Sequence, residues 1–281
     1  MMRRTDLSET IKRIDFPEKI WEWLDFFGEI VATTQQEALF QERHFIADSP
    51  YKQFLRCSIN KDLSTLDAIY ILLRFEKIHQ ASSHIRLFCE SLITLQYISI
   101  EPELRSDLFW GYSDIEAFKI ASSILDWESD SADALYVNKL EIFRDSILQK
   151  YKIAKNTYTF LDKKGRRKPF SNWCNKKISI QAQDCGPSFQ RLYASVYRQL
   201  SAYIHGSAWS LRRQISYSRD HYQLEVVHND VAQIIRTALV VWIEWAKFLI
   251  SNLNWRFENT IVEIPMKLSE LEKRHFPTKD V

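Results

Sequence analysis

Apolar residues recur at helical spacing along most of this chain, and the pattern predicts a series of long helices. The first begins at Pro17 and extends towards Arg43, with the apolar series Ile20, Trp23, Leu24, Phe27, Ile30 and Val31. A second begins at Asp62 or Ser64. A third ends before Pro102, because the residue that precedes a proline is biased away from helical geometry.

The helical pattern continues in the second half of the chain with one interruption. Helices are predicted over 114–127 and 133–155, and another over 187–204 ends at Gly206, which suits a C-cap. Between them the periodicity fails near 157–177, where β-forming residues flank a glycine-centred basic turn. This segment is predicted to be a short basic hairpin or an ordered loop inserted among the helices.

A final helix is predicted over about 230–253. Its apolar residues surround most of the circumference, so Trp242 and Trp245 are expected in the core. The chain has only 5 Gly and 7 Pro among 281 residues, too few turn-forming residues for a barrel or sandwich of many short strands. The expected fold class is therefore all-α, a multi-helix bundle of long helices. It forms one domain over 1–281, with N-terminal helices over 1–62 and the basic insertion.

The distribution of glycine and cysteine excludes several classes of function. Neighbouring glycines lie at least 20 residues apart, which leaves no glycine-rich loop of the P-loop or dinucleotide-binding kind. The 4 cysteines form no CxxC pair, so we expect no zinc ribbon and no disulfide framework. We also expect no metal ion and no other cofactor. The first residues are charged and polar, and no apolar stretch approaches the ~20 residues that cross a bilayer. We expect a cytoplasmic protein with reduced thiols and no membrane partner.

The net charge of +2 hides an uneven distribution. Residues 150–220 hold 15 Lys or Arg and three Asp, whereas the rest of the chain is acidic on balance. Such a block is what a site for a polyanion requires, and the alternative is a solvated basic face without a partner. The candidate nucleic-acid-binding residues are Lys163, Lys164, Arg166, Arg167, Lys168, Lys176 and Lys177, with Trp173 as a base-stacking ring.

The helix that ends at Gly206 gathers side chains that could carry out chemistry. Helical geometry places four polar side chains within about 100° of one another on its surface: Tyr197, Ser201, His205 and Arg198. Arg198 and His205 are about 10 Å apart along the axis. This span suits an arginine that holds one phosphate while an imidazole acts as general acid or base on its neighbour. The alternative is an amphipathic helix whose histidine hydrogen-bonds a nearby carbonyl.

Arg198 and His205, with six residues between them, resemble the arginine–histidine motif of HEPN-type helical proteins. Many proteins of that group are RNA-cleaving toxins and antiviral effectors. A second match to the bare motif, Arg74 and His79, also occurs. The wider series looks like an uncharacterised bacterial helical family with a Trp…Lys-x-Ile…Tyr-x-x-x-Ser-x-x-x-His-Gly pattern. This likeness covers about residues 81–210.

The resemblance implies an active-site role for Arg198 and His205. It implies a site-lining role for Ser201, Tyr197, Arg86 and Glu90. We call the helix face that carries Tyr197, Arg198, Ser201 and His205 the Tyr197–His205 stripe. The resemblance further implies a homodimer in which the stripes of two copies face each other, and chemistry that is independent of metal ions. Gln199 follows the arginine, where catalytic HEPN proteins often carry Asn, Asp or His.

Arg86 and Glu90 stand four residues apart on a helix that is otherwise apolar. Two charges in such a place suggest a buried ion pair that faces another polar group, with His205 as a candidate. The alternative is an ion pair that only fixes the register of the helix.

The sequence thus predicts a HEPN-like metal-independent endoribonuclease, an effector of a bacterial toxin or antiviral defence system. Its expected partners are RNA or another nucleic acid, a second copy of the chain and a protein of the defence system. The alternative is a non-catalytic helical adaptor that binds nucleic acid or an acidic protein through its basic face. A third interpretation is a regulatory domain that binds a nucleotide beside Arg86, Glu90 and His205.

Overall fold

The computed structural model describes residues 18–128, 133–204 and 224–276. Helices hold most of these residues, which confirms the all-α fold class. The helices are α1 (Glu18–Glu42), α2 (Pro50–Arg74), α3 (Ile78–Ile100), α4 (Pro102–Glu128), α5 (Ala134–Thr157), α6 (Ile178–Asp184), α7 (Pro187–Leu192), α8 (Arg198–Ile204), α9 (Leu224–Leu253) and α10 (Glu258–His275). A π-helical turn, Tyr193–Tyr197, joins α7 to α8. The strands found in the described part of the chain are β1 (Thr159–Leu161) and β2 (Arg167–Pro169).

The predicted start of the second helix was wrong. Helix α2 begins at Pro50, where a proline suits the first helical position and the Ser49 hydroxyl accepts a hydrogen bond from the Lys52 N–H at 3.3 Å. The residues that follow are mostly polar, so the apolar pattern becomes regular only after Asp62. Helix α4 likewise begins at Pro102, before the predicted 114.

Other boundaries agree with the apolar pattern. Helix α3 ends at Ile100 as expected, and Asp133 caps α5 by accepting a hydrogen bond from the Leu135 N–H at 3.0 Å. The pattern missed α6 and α10 entirely. The predicted start at Pro17 and the predicted C-cap at Gly206 lie outside the described residues.

The described helices group into two compact units, and the prediction of a single domain stays a prediction. Unit one comprises the described parts of 1–45, 57–94 and 186–281. Its core contains α9, whose Trp242 and Trp245 are 0% exposed, which confirms the expected core position of this helix. Both indoles also find polar partners inside the core. Trp242 donates to the Thr34 hydroxyl at 2.9 Å and Trp245 donates to the Asp62 carboxylate at 2.9 Å.

The carboxyl group of Asp62 is fully buried in unit one. Burial raises its pKa from 3.8 to about 7, although hydrogen bonds with Ser91 and Trp245 act in the opposite direction. The folded state therefore holds a proton that the unfolded chain releases at lower pH. The contribution of Asp62 to the free energy of unfolding should be largest below pH 4. It should fall as the pH rises to about 7, by an amount on the order of a few kcal/mol.

Asp62→Asn is expected to flatten this dependence, because the amide oxygen still accepts the Trp245 hydrogen bond but does not titrate. Urea unfolding at several pH values measures the slope. Asp25→Asn, a change at an exposed position of α1, is the control and should keep the slope of the original chain. An unchanged slope in the Asp62→Asn chain would contradict the assignment.

Unit two comprises 46–56 and the described parts of 95–185. Helices α4 and α5 pack side by side in it, around a small core of Tyr112, Ile115, Ala154 and Tyr158. The Tyr158 hydroxyl donates to the Leu108 carbonyl at 2.6 Å and lies so close to Gly111 that a Cβ there would approach it to 2.7 Å. Any side chain at this position of α4 would therefore displace the Tyr158 hydroxyl.

Strands β1 and β2 form an antiparallel hairpin, with Phe160 opposite Lys168. Gly165 adopts a φ of 71° in its turn, a conformation that favours glycine. The hairpin confirms the prediction for the basic insertion. None of the helices in the described ranges is long and apolar enough to cross a membrane.

Candidate functional site

The helix that was predicted over 187–204 contains a π turn in its middle. Gly186 has a φ of 99° and precedes Pro187 at the start of α7, so the helix has a defined beginning. In the turn, the Arg198 N–H donates to the Tyr193 carbonyl, one residue further back than in an α-helix. Such turns are rare and often mark functional sites. This one lies directly before Arg198.

The side chain of Tyr197 fixes the turn against α3. Arg86 donates from Nη2 to the Tyr197 hydroxyl at 2.9 Å, and its guanidinium lies over the Tyr197 ring, 4.9 Å from the centroid. Glu90 completes the group, 3.9 Å from Arg86 and in hydrogen-bond contact with the same hydroxyl. We call Arg86, Glu90 and Tyr197 the polar triad.

Arg86 and Glu90 contact Tyr197, but the expected burial of this ion pair was wrong, because their side chains are 20% and 43% exposed. Among the described residues, the polar group that meets them is Tyr197. Burial raises the pKa of Tyr197, and Glu90 acts in the same direction while Arg86 opposes it. The ring of Tyr193 stacks on that of Tyr197, with centroids 5.2 Å apart. The tyrosine is therefore neutral at physiological pH, and its ring is in contact with both Arg86 and Tyr193.

A buried thiol touches the same turn. Cys89 is 0% exposed, and burial raises its pKa to about 12, with a backbone hydrogen bond of Tyr197 as a smaller opposing effect. A thiol with this pKa is protonated at neutral pH and is a poor nucleophile. Cys89 therefore contributes packing and a second link between α3 and the turn.

Arg198 turns away from the triad. Tyr197 is buried, whereas Arg198 is exposed to solvent at the first position of α8. Ser201 is half-buried, and its hydroxyl oxygen has no hydrogen-bond partner among the described residues, as is also true of the Arg86 Nε. His205 lies outside the described residues. The structure thus brings Arg86, Glu90 and Tyr197 together and leaves Arg198 as an exposed cation beside them.

The second arginine–histidine match has a different setting. Arg74 is the last residue of α2, and His79 belongs to α3. The two are separated by a turn in which Glu76 has a φ of 57°. The Arg74 guanidinium lies over the rings of Trp21 and Tyr70, 5.5 and 5.7 Å from their centroids. This pair does not lie on one helix.

The turn of the basic hairpin is organised by Asp162. Its carboxylate accepts from the backbone N–H groups of Lys164 and Arg166 and forms ion pairs with Arg166 at 2.9 Å and Lys168 at 3.5 Å. The backbone hydrogen bond from Arg166 is the main reason that its pKa is lowered. The side chains of Lys163, Lys164 and Arg167 are exposed, and the ion pairs described for Asp162 do not involve them. These three are the hairpin cations that can meet a phosphate without first breaking an ion pair.

Two of the other candidate nucleic-acid-binding residues of unit two, Trp173 and Lys176, contact neighbouring side chains. Trp173 is half-buried and packs edge-on against Tyr97 and Phe109, with centroids 5.8 and 5.6 Å away, so core packing accounts for much of its ring. Lys176 donates to Asp184 at 2.7 Å, and this contact raises the pKa of the lysine. Lys177 is exposed.

Metal ligands do not cluster in the described part of the chain: no group of three or more His, Cys, Asp or Glu side chains there could hold an ion.

Comparison with known proteins gives one match. A family model, described as a family of unknown function, DUF5677, matches residues 54–222, which is more than half of the chain. The chain belongs to the DUF5677 family. The matched range includes the polar triad, Arg198, His205 and the basic hairpin of this DUF5677 protein. No curated protein and no solved structure matches it.

Sequence reasoning missed the π turn and the stacking of Tyr193 on Tyr197 in this family segment. A pattern of residue types carries no signal for the hydrogen-bond shift that defines the turn.

Proposed function

We propose that this DUF5677 protein is a HEPN-like, metal-independent endoribonuclease, the effector of a bacterial toxin or antiviral system. The observation that carries the proposal is the exposed Arg198 directly after a π turn that the polar triad anchors. A cation on a fixed helix end can hold a phosphate with little loss of entropy. The resemblance of the Arg198–His205 spacing to HEPN motifs supports His205 as the residue that transfers the proton.

In this proposal Arg198 holds the scissile phosphate. His205 takes the proton from the 2′-hydroxyl of the RNA. The O2′–P bond forms and the P–O5′ bond breaks, and His205 passes the proton it has taken to the leaving O5′. The products are a 2′,3′-cyclic phosphate and a 5′-hydroxyl end. Each step uses groups of the RNA and of this chain.

The proposal assigns RNA binding to the hairpin of unit two. Lys163, Lys164 and Arg167 would contact the backbone of a single strand, with Lys177 as a further contact. Partner assignments stay predictions: a homodimer with facing Tyr197–His205 stripes, and a defence-system protein.

The direct test is incubation of the purified protein with total RNA in the presence of EDTA. We expect cleavage fragments that end in 2′,3′-cyclic phosphate. A matched oligonucleotide with 2′-O-methyl groups should stay intact, because it lacks the attacking hydroxyl. Intact RNA at every protein concentration, or cleavage of the methylated control, would overturn the proposal.

The hairpin gives a separate prediction about binding. Changing Lys163, Lys164 and Arg167 together to glutamine should weaken RNA affinity and flatten its salt dependence. Each phosphate that a single strand no longer places against a cation changes the logarithmic slope by ~0.7, so three such phosphates change it by about 2. Fluorescence anisotropy with labelled RNA at several salt concentrations measures this slope. Cleavage should recover at high RNA concentration.

The matched control removes three exposed cations of unit one, Lys19, Lys77 and Lys273. This triple change alters the net charge equally but leaves the hairpin intact. Equal slopes for the two triple variants would show that the hairpin does not bind the RNA.

A second candidate function is the non-catalytic adaptor. The specific observation in its favour is that the Arg86 charge is already taken up by Tyr197 and Glu90, as in a purely structural ion pair. The hairpin cations would then bind nucleic acid or an acidic protein without chemistry. RNA binding with no cleavage in the EDTA experiment would favour this candidate.

A further inference from the structure

Phe160 is an exposed aromatic residue of the basic hairpin. It belongs to β1, is 37% exposed, and its ring lies 6.2 Å from that of Phe170, centroid to centroid. Phe170 in turn packs edge-on against the buried Tyr158, with centroids 5.9 Å apart. The Phe160 ring is therefore attached to the small core of unit two through Phe170, while part of its surface is open to solvent.

The Phe160 ring is surrounded by cations. Residues 159–169 contain five Lys or Arg and a single acid, Asp162. Lys168 lies directly opposite Phe160 in the hairpin, so the two side chains share one face, with Cβ atoms about 5 Å apart. The Lys168 side chain is 50% exposed even though its ammonium lies 3.5 Å from the Asp162 carboxylate. Asp162 also pairs with Arg166, so the net charge around the ring is positive.

An exposed ring beside several cations is the combination with which proteins bind single-stranded nucleic acid. A base stacks its face on the aromatic ring, and the phosphates of the strand meet the cations. Lys163 follows Phe160 by three residues, which is at most about 11 Å of backbone, so one strand can contact both. In a duplex the faces of the bases are covered by their neighbours, so this arrangement selects unpaired nucleotides.

Trp173 was the ring expected from the sequence to stack on a base, and its packing makes it the weaker candidate. Tyr97 and Phe109 contact it edge-on, and a smaller fraction of Trp173 than of Phe160 is exposed. Phe160 also belongs to the hairpin itself, where the cations assigned to RNA binding lie.

A membrane surface also attracts aromatic and basic residues, but the hairpin lacks the apolar face that insertion requires. Peripheral segments enter a membrane with their apolar side chains gathered on one face. Phe160 and the 67% exposed Leu161 are adjacent in a strand, so they point to opposite faces. The turn at 163–166 carries three cations. Single-stranded nucleic acid is therefore the occupant that the hairpin fits.

We propose that one unpaired base of a bound RNA strand stacks on Phe160, while the phosphates that flank it contact the hairpin cations. This contact rests on the proposed function, which assigns RNA binding to the hairpin, but it does not require cleavage. It adds a base contact, which accepts any base, to a set of phosphate contacts.

Fluorescence anisotropy with a labelled 2′-O-methyl RNA strand, which lacks the attacking hydroxyl, measures the contact. Phe160→Leu keeps an apolar side chain against Phe170 but removes the aromatic face, and it should raise the Kd about fivefold or more. Phe160→Tyr keeps the face and should bind within about twofold of the original chain. The logarithmic salt dependence should not change in either variant, because no cation is lost. A collapsed hairpin would flatten it, which separates stacking from a structural effect.

Phe143→Leu is the matched control. Phe143 is another exposed phenylalanine of unit two, at 47% on α5, and its change should leave the Kd unaltered. A second probe is a 2′-O-methyl strand of the same length without bases. The original chain should bind this abasic strand more weakly than the complete one. Phe160→Leu should bind it as tightly as the original chain does, because there is no base to stack.

An unchanged Kd in Phe160→Leu, or an equal loss on the abasic strand, overturns the stacking role and leaves the proposed cleavage to the EDTA experiment. Absence of RNA binding by the original chain overturns both the stacking and the role of the hairpin. The expected losses without any cleavage of ordinary RNA support the base contact and overturn the endoribonuclease. Co-sedimentation with anionic vesicles that Phe160→Leu abolishes, with an unchanged Kd for RNA, would show a membrane as the occupant and overturn the contact.

Discussion

Arg198→Ala and His205→Ala are each expected to abolish RNA cleavage while leaving the fold and most of the RNA affinity intact. Arg198 is exposed to solvent, so its removal should not affect stability. In the proposed reaction it stabilises the charge that develops on the phosphate, and removal of one such group costs about a hundredfold or more in rate. Removal of proton transfer by the histidine costs a similar factor. Cleavage rates with labelled RNA, alongside thermal melting and anisotropy, measure the three quantities.

Three control variants make the assignment specific. Arg191→Ala removes another exposed arginine, on α7, and should cleave at the rate of the original chain. Arg74→Ala and His79→Ala test the second motif match and should also leave cleavage unchanged. If Arg198→Ala cleaves normally while a change at Arg74 or His79 is inactive, the site has been assigned to the wrong pair.

Trp242→Ala should destabilise the protein by ~3–5 kcal/mol, the usual cost of removing a buried aromatic ring. The ring is 0% exposed and packs against Phe257, with centroids 5.4 Å apart. The change also leaves the Thr34 hydroxyl without the hydrogen bond from the indole, in a place that water does not reach. Urea unfolding followed by circular dichroism gives the free energy.

Trp127→Ala is the matched control, since this tryptophan is 84% exposed on α4. Its removal should change the free energy of unfolding by less than about 0.5 kcal/mol. A Trp242→Ala chain that melts within a degree or two of the original would show that α9 is not central to the core.

The fold was predictable where apolar periodicity is strong. Helix α9 is apolar around most of its surface, and both its central position and its buried tryptophans followed from that pattern. Helix α10 was missed because its exposed face dominates the sequence and because Pro265 lies inside it. The start of α2 was missed because its first turns carry polar residues, although Ser49 and Pro50 form a recognisable capping pair. Local capping chemistry was the better signal there.

The candidate site was predictable only in part. The four-residue spacing of Arg86 and Glu90 on an apolar helix correctly drew attention to them. Their contact with Tyr197 could not be derived, because it joins positions 111 residues apart and depends on how α3 packs against the turn. The helical geometry assumed from Tyr197 onward remains valid within α8. The Tyr197–His205 stripe is not uniformly exposed, because Tyr197 is buried whereas Arg198 is exposed to solvent.

The π turn makes the length of this segment as important as its composition. A π turn is geometrically an α-helix with one extra residue. The side chains after it therefore lie about 100° from the directions that they would have in a continuous α-helix of the same length. Deleting a single residue between 193 and 197 would let the turn close as an ordinary α-helix. Arg198 would keep its direction, because the turn already absorbs the extra residue. A chain of the same length that formed a regular α-helix here would instead aim its arginine about 100° away, even where every motif residue is identical.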